Sequence, residues 1–181
     1  MNNQVKRNYL EIRSINELVE ENKPNENVIL EKVDPPDFQL NKFFYKEIGK
    51  NHRWTDRLSW NDKNWINYIN NSSVVTYILK NKEDLVGYFE QNFNNQKLEC
   101  EIAYFGILEE YFGKKLGGYL LSEAIKKSFE KNSHQSPREQ FLMSVTSTVV
   151  TSMLTFPNIL AFSLLIFTGV PSFIIAGNPS A

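Results

Sequence analysis

Two stretches of this chain hold residues whose types and spacing could do chemistry. The first is Phe112-Gly113-Lys114-Lys115-Leu116-Gly117-Gly118. It lies between a segment of alternating polarity and a segment of helical period, so it reads as a turn handing a strand over to a helix. The first N–H groups of a helix have no intrahelical acceptor and the macrodipole is positive there, so such a corner attracts anions. Glycine lets a phosphate reach the backbone without meeting a side chain. Lys114 and Lys115 offset part of the charge of Glu109 and Glu110, which are expected to face solvent. The stretch contains neither G-x-x-x-x-G-K-[ST] nor G-x-G-x-x-G, which excludes the usual triphosphate and dinucleotide loops. A glycine here also suits close helix–sheet packing, and the residues alone leave both uses open.

The second stretch is Asn51-His52-Arg53-Trp54-Thr55-Asp56-Arg57-Leu58-Ser59-Trp60. Asp56 is suited to an ammonium, Arg57 to a carboxylate, and Trp54 and Trp60 to the walls of a pocket. The competing reading makes both tryptophans core anchors and pairs Asp56 with Arg57. Glu90 and Glu101 fall on strands expected to be neighbours. They are either the solvated side of a sheet or a pair in which like-charge repulsion raises the pKa of Glu101. His52 and His134 are too isolated for a metal site or a dyad, and no Cys/His cluster supports zinc, so no metal is expected. Cys100 is the one cysteine. It cannot close an internal disulfide and reads as a small buried hydrophobe.

The elements that must position these groups follow from periodicity. Tyr9–Arg13 and Val28–Val33 read as strands, the second stopped by Asp34-Pro35-Pro36. Asp37 can cap a helix with the stripe Leu40, Phe43, Phe44 and Ile48; Ser59 or Asn61 can cap a second carrying Trp65, Ile66, Tyr68 and Ile69. Ser73–Lys80 and Leu85–Gln91 form a hairpin around Asn81–Asp84. From Leu98 the chain alternates, with Leu98, Cys100, Ile102 and Tyr104 on one side and Glu99, Glu101, Ala103 and Phe105 on the other. The next helix has Leu120, Leu121, Ala124, Ile125 and Ser128 as its apolar face. The order β-β-α-α-β-β-β-α makes the fold α/β with a mixed sheet.

Phe112-Gly113-Lys114-Lys115-Leu116-Gly117, followed by Gly118-Tyr119-Leu120-Leu121, resembles the acetyl-CoA pyrophosphate motif Q/R-x-x-G-x-G/A of the GNAT N-acetyltransferases. Glu101-Ile102-Ala103-Tyr104-Phe105-Gly106-Ile107 is similar to that superfamily's fourth strand. Phe112 stands where Gln or Arg is usual, and Lys115 where the first glycine is usual. The resemblance runs from about Asn8 to Lys131. It implies acetyl-CoA as co-substrate, gripped by residues 112–118, with its pantetheine arm bonded by the main chain at Phe105, Gly106 and Ile107, where an N–H also stabilises the oxyanion. It implies Glu101 as general base. The acceptor site is expected at Trp54, Asp56, Arg57 and Trp60 of the second stretch, with Glu90 and Tyr104. The acceptor would be an amine of a small molecule or peptide. The family's general acid is a tyrosine on the helix after the fifth strand, and no tyrosine follows Tyr119.

The chain has 181 residues, a net charge of -1 and a pI of about 6.2, so bulk electrostatics do not favour nucleic acid. Residues 1–139 form a highly charged front, and from Gln140 to Ala181 there is no Lys, Arg, Asp or Glu. Gln140–Val150 has strand propensity and would run parallel to the Leu98 strand through a right-handed crossover. The apolar run beyond it fits a buried core, a membrane segment or a foreign, frame-shifted end. No secretory signal opens the chain, and a cytoplasmic setting is expected unless the tail anchors it. A CoA-binding relative with impaired catalysis and a membrane-tethered interaction protein are the alternatives to an active transferase. Composition specifies no oligomeric state.

Overall fold

Local chemistry sets where the elements start. Asp37 accepts from the backbone N–H groups of Gln39 and Leu40, opening helix α1 (Phe38–Gly49). Asn61 and Asn64 form a reciprocal capping box that opens α2 (Asp62–Ile69), deciding between the two caps the sequence offered. The strands are β1 (Leu10–Ile12), β2 (Val28–Lys32), β3 (Val74–Asn81), β4 (Asp84–Asn94), β5 (Glu99–Ile107) and β6 (Leu142–Val145), with helix α3 (Leu116–Ser133) between the last two. This computed structural model describes residues 10–24, 27–133 and 142–145. The expected alternation of strands and helices is present, in a mixed α/β fold.

One sheet runs β1-β6-β5-β4-β3-β2. All its pairings are antiparallel except β5 with β6, which are parallel, the sense a right-handed crossover through α3 produces. Helix α3 covers one face with Leu116, Leu120, Leu121, Ala124 and Ile125 against Phe89, Ile102 and Phe105, while α1 and α2 cover the other with Phe44, Tyr45, Ile48 and Trp65 against Ile78, Tyr88 and Tyr104. Ser128 is buried on the α3 face, where it and the carbonyl of Ala124 accept from the Gln91 side chain. Cys100 is fully buried.

Three local expectations are corrected. Gln91 pairs with Ile102 but Glu90 pairs with Tyr104, so Ala103 is an extra residue, a bulge in β5. The bulge breaks the period-2 count: Tyr104 lies on the α1/α2 face, while Phe105 and Ile107 lie on the α3 face with Cys100 and Ile102. Leu98 precedes the strand, in a turn at φ 54°. On α1 the buried stripe is Asn41, Phe44, Tyr45 and Ile48, with Phe43 40% exposed; on α2 it is Trp65 and Ile69, with Ile66 39% exposed. Polar atoms satisfied inside the protein make these stripes differ from a purely apolar count, because Asn41 and Tyr45 both find buried partners. Of the tail, only β6 falls within the described residues. Among them no helix is long and apolar enough to cross a membrane.

Candidate active site

The turn from β5 into α3 is open on its outer side. After a 3-10 turn at Glu109–Tyr111 the chain passes through Phe112, Gly113, Lys114 and Lys115, all exposed, and enters α3 at Leu116, which is buried and anchors the corner. Gly113 has φ +80°, and a Cβ added there would meet nothing within 4 Å. Lys115 has φ 60°, in the left-handed region that side chains avoid. It holds the conformation a glycine would adopt more easily, at the motif position where glycine is usual. Gly118 differs: a Cβ there would lie 3.2 Å from Cγ of Glu21, because the N-terminal segment crosses α3 and the Glu21 N–H donates to Ser122 Oγ. Of the two uses of glycine left open by the sequence, Gly118 serves packing and Gly113 leaves free space. Lys114 Nζ sits 5.0 Å from the Tyr111 ring centroid. Gly117 lies in the first turn of α3, where the N–H groups lack intrahelical acceptors.

Helix α1 reaches this corner by lying directly on β5. A Cβ on Gly106 would stand 2.5 Å from Cγ2 of Ile48, so only glycine permits the approach. Phe105, Gly106 and Ile107 pair with β4 as far as Gly87↔Ile107, whereas the described pairing of β5 with β6 spans Glu99–Ile102. Glu101 is opposite Asn92 on β4 and Ser144 on β6, and partly buried. Pairing places it on the α1/α2 face, with Glu90 and Tyr104.

That face holds a buried ion pair. Arg57 Nη1 donates to Glu90 Oε2 at 2.8 Å, with the side chains 6% and 0% exposed. Asn41 Nδ2 donates to Glu90 Oε1 at 2.8 Å and to Thr76 Oγ1 at 2.8 Å. The guanidinium carbon lies 3.9 Å from the ring centroid of Tyr68, 4.2 Å from Tyr104 and 4.7 Å from Trp60. Burial opposes the charge on Arg57, but Glu90 together with Tyr68 and Tyr104 more than offsets it and the pKa is raised. The Tyr45 hydroxyl accepts from the Arg57 N–H at 2.8 Å, pinning the loop backbone to α1.

These contacts change several sequence expectations. Glu90 is engaged by Arg57 and Asn41, and its cross-strand neighbour is Tyr104; Glu101, opposite Asn92, lies diagonal to Glu90 on the same face. Arg57 is buried and bonds Glu90, so its charge is met inside the protein. Trp54 is 3% exposed and packs against Tyr45 and Tyr104, so it is a core anchor, whereas Trp60 is half-buried and covers Arg57. Asp56 is exposed, and its Oδ2 accepts from the Tyr104 hydroxyl at 3.5 Å. Burial pushes the Tyr104 pKa up, against the pull of Arg57, so the hydroxyl is a donor at neutral pH. His52 is buried, and desolvation lowers its pKa although Glu109 works the other way. Asn41, Tyr45 and Thr76 help build this cluster and were not singled out by sequence, and Tyr68 was read only as part of the second helix's stripe; a polar residue in a helix or strand carries no mark that it points inward. No group of metal-binding side chains occurs among the described residues.

Residues 37–136 match the profile of the acetyltransferase (GNAT) family. No curated protein sequence matches the chain. Among solved structures, it is similar to an aminoglycoside acetyltransferase from an uncultured soil metagenomic sample, crystallised with sisomicin, at TM-score 0.60 and 9% identity over 85% of this chain and 96% of that one. A second aminoglycoside acetyltransferase from an uncultured soil metagenomic sample aligns at TM-score 0.53 and 11% identity, over 86% and 99%. A GCN5-related N-acetyltransferase from Kribbella flavida aligns at TM-score 0.50 and 12% identity, over 78% and 48%.

Proposed function

The chain belongs to the acetyltransferase (GNAT) family, and from that premise we propose that it moves an acetyl group from acetyl-CoA to an amine of a small molecule or peptide, both bound at once. The observation that carries this reading is the open corner between β5 and α3. Free space at Gly113, a left-handed backbone at Lys115 and the start of an 18-residue helix form a cradle that fits a diphosphate. Two exposed lysines, Lys114 and Lys115, add charge complementary to phosphate. The strand residues Phe105–Ile107 offer main-chain groups beyond the described pairing with β6, where an extended pantetheine arm can lie against β5.

In the reaction the amine nitrogen bonds to the thioester carbonyl carbon, the C–S bond breaks and CoA leaves. Glu101 takes the amine proton, directly or through a water; it is a partly buried carboxylate on the α1/α2 face of β5, nearer than Glu99 to the Phe105–Ile107 main chain. A main-chain N–H of Phe105–Ile107 stabilises the carbonyl oxygen as its charge grows. Titration with acetyl-CoA tests the reading. A rise in melting temperature that grows with ligand concentration is expected, and Gly117→Leu should weaken it by crowding the phosphates. Binding without turnover for any amine would favour a CoA-binding relative with impaired catalysis, the reading to which the absence of any tyrosine after Tyr119 points. No thermal shift at all would overturn both.

A further inference from the structure

We infer that Glu21 is a carboxylate built into the fold that competes with the cofactor's diphosphate for the positive end of α3 and so weakens acetyl-CoA binding; this rests on the transferase reading and concerns the regulation of that same corner. The segment between β1 and β2 carries it along α3. Leu18 packs against the core cluster that α3 covers, Lys126 of α3 donates to Glu20, and the Glu21 N–H donates to Ser122 Oγ at 3.0 Å. Ser122 is fully buried, so this hydrogen bond fixes the Glu21 main chain about one helical turn from Gly118. The Glu21 side chain, partly buried, then lies on Gly118: its Cγ, Cβ and Cδ stand 3.2, 3.3 and 3.8 Å from a Cβ placed there. A carbon–carbon bond adds about 1.5 Å, so the carboxyl carbon is at most about 5.3 Å from the Gly118 Cα, wherever its oxygens point.

Gly118 is the third residue of α3. The helical ladder opens with the Tyr119 N–H donating to the Lys115 carbonyl, and the N–H groups of Leu116, Gly117 and Gly118 have no acceptor one turn back. Together with the helix dipole they make this end partly positive. In the free protein the Glu21 carboxylate meets that charge, as an acidic side chain in a first turn does. A diphosphate at residues 113–118 needs the same charge and brings further negative charge against Glu21. The main chain of Glu21 is held by Ser122, so the side chain is the part that can swing aside. Glu20 is placed differently: its carboxylate is paired with Lys126, about 12 Å further along the helix.

Calorimetric titration of the full chain with acetyl-CoA, at about 0.03 M and about 0.5 M salt, tests this. Glu21→Gln removes the charge and keeps the shape. It should bind at least about threefold more tightly than the unaltered protein at low salt, with the gain fading at high salt. Without ligand it should melt about 1–3 °C lower, because α3 loses a favourable first-turn anion. Tighter binding by a less stable protein is a combination that lost packing alone does not produce. Glu20→Gln, which removes an equal charge nearby, should leave the Kd within about twofold. Equal or weaker binding by Glu21→Gln at low salt would overturn this inference and leave the transferase reading standing. So would an equal gain in Glu20→Gln, since net charge rather than the place of Glu21 would then set the affinity. No acetyl-CoA binding by any of the three proteins would overturn both.

Discussion

Glu101 and Lys115 are single residues whose environments make opposite demands. Glu101 is a partly buried carboxylate on a strand that also carries the proposed pantetheine contacts, so its removal should affect proton transfer more than binding. Glu101→Gln is expected to lower kcat by about a hundredfold or more, the usual contribution of a general base, with the acetyl-CoA Kd nearly unchanged. Stopped-time assays of thiol release and calorimetry of acetyl-CoA binding separate the two. Lys115 instead holds φ 60°, which costs an L-residue about 1 kcal/mol. Lys115→Gly should relieve that strain and, after the larger chain entropy of glycine in the unfolded state, stabilise by about 0.5 kcal/mol in urea melts. Lys115→Ala should show no such gain, because alanine keeps the Cβ that causes the strain.

Between elements, the Arg57–Glu90 pair ties the long loop after α1 to the middle of the sheet, with Asn41 of α1 completing the carboxylate's bonds. Breaking one side leaves a buried charge without its partner. Glu90→Leu or Arg57→Met alone should each cost about 3–5 kcal/mol, measured by denaturant unfolding. The double variant should recover much of that loss, because two apolar side chains of similar volume need no compensating charge. Additive losses would show that the pair is not the unit that holds the loop. The packing of α1 on β5 through Gly106 and Ile48 belongs to the same scale, since it brings the loop close to Tyr104.

At the scale of the whole molecule, β6 bridges two parts of the sheet. It pairs with β5 on one side and β1 on the other, so β1 joins the sheet through it. A chain ending at residue 139 would lack β6, leaving β1 without its described strand partner and one edge of β5 unpaired. It should melt at a clearly lower temperature and less cooperatively than the full chain. An unchanged melting curve would mean that β6 adds nothing to the stability of the sheet.

Much of this was legible in the sequence. The change from period 2 to helical period at Ile107, the glycines and lysines that follow, and the caps at Asp37 and Asn61 are local signals, because they depend on backbone geometry within a few residues. The tertiary structure decided the rest. One bulge at Ala103 moved Tyr104 to the other face, and only cross-strand pairing reveals it. Glu90 and Arg57 are far apart in sequence, and nothing nearby marks either as buried. Their pairing turned an expected carboxylate-binding arginine into an internal cation. Local propensity selects strands, turns and helix starts; which charges meet is settled only when distant segments pack, since the cost of burying a lone charge is a property of the assembled interior.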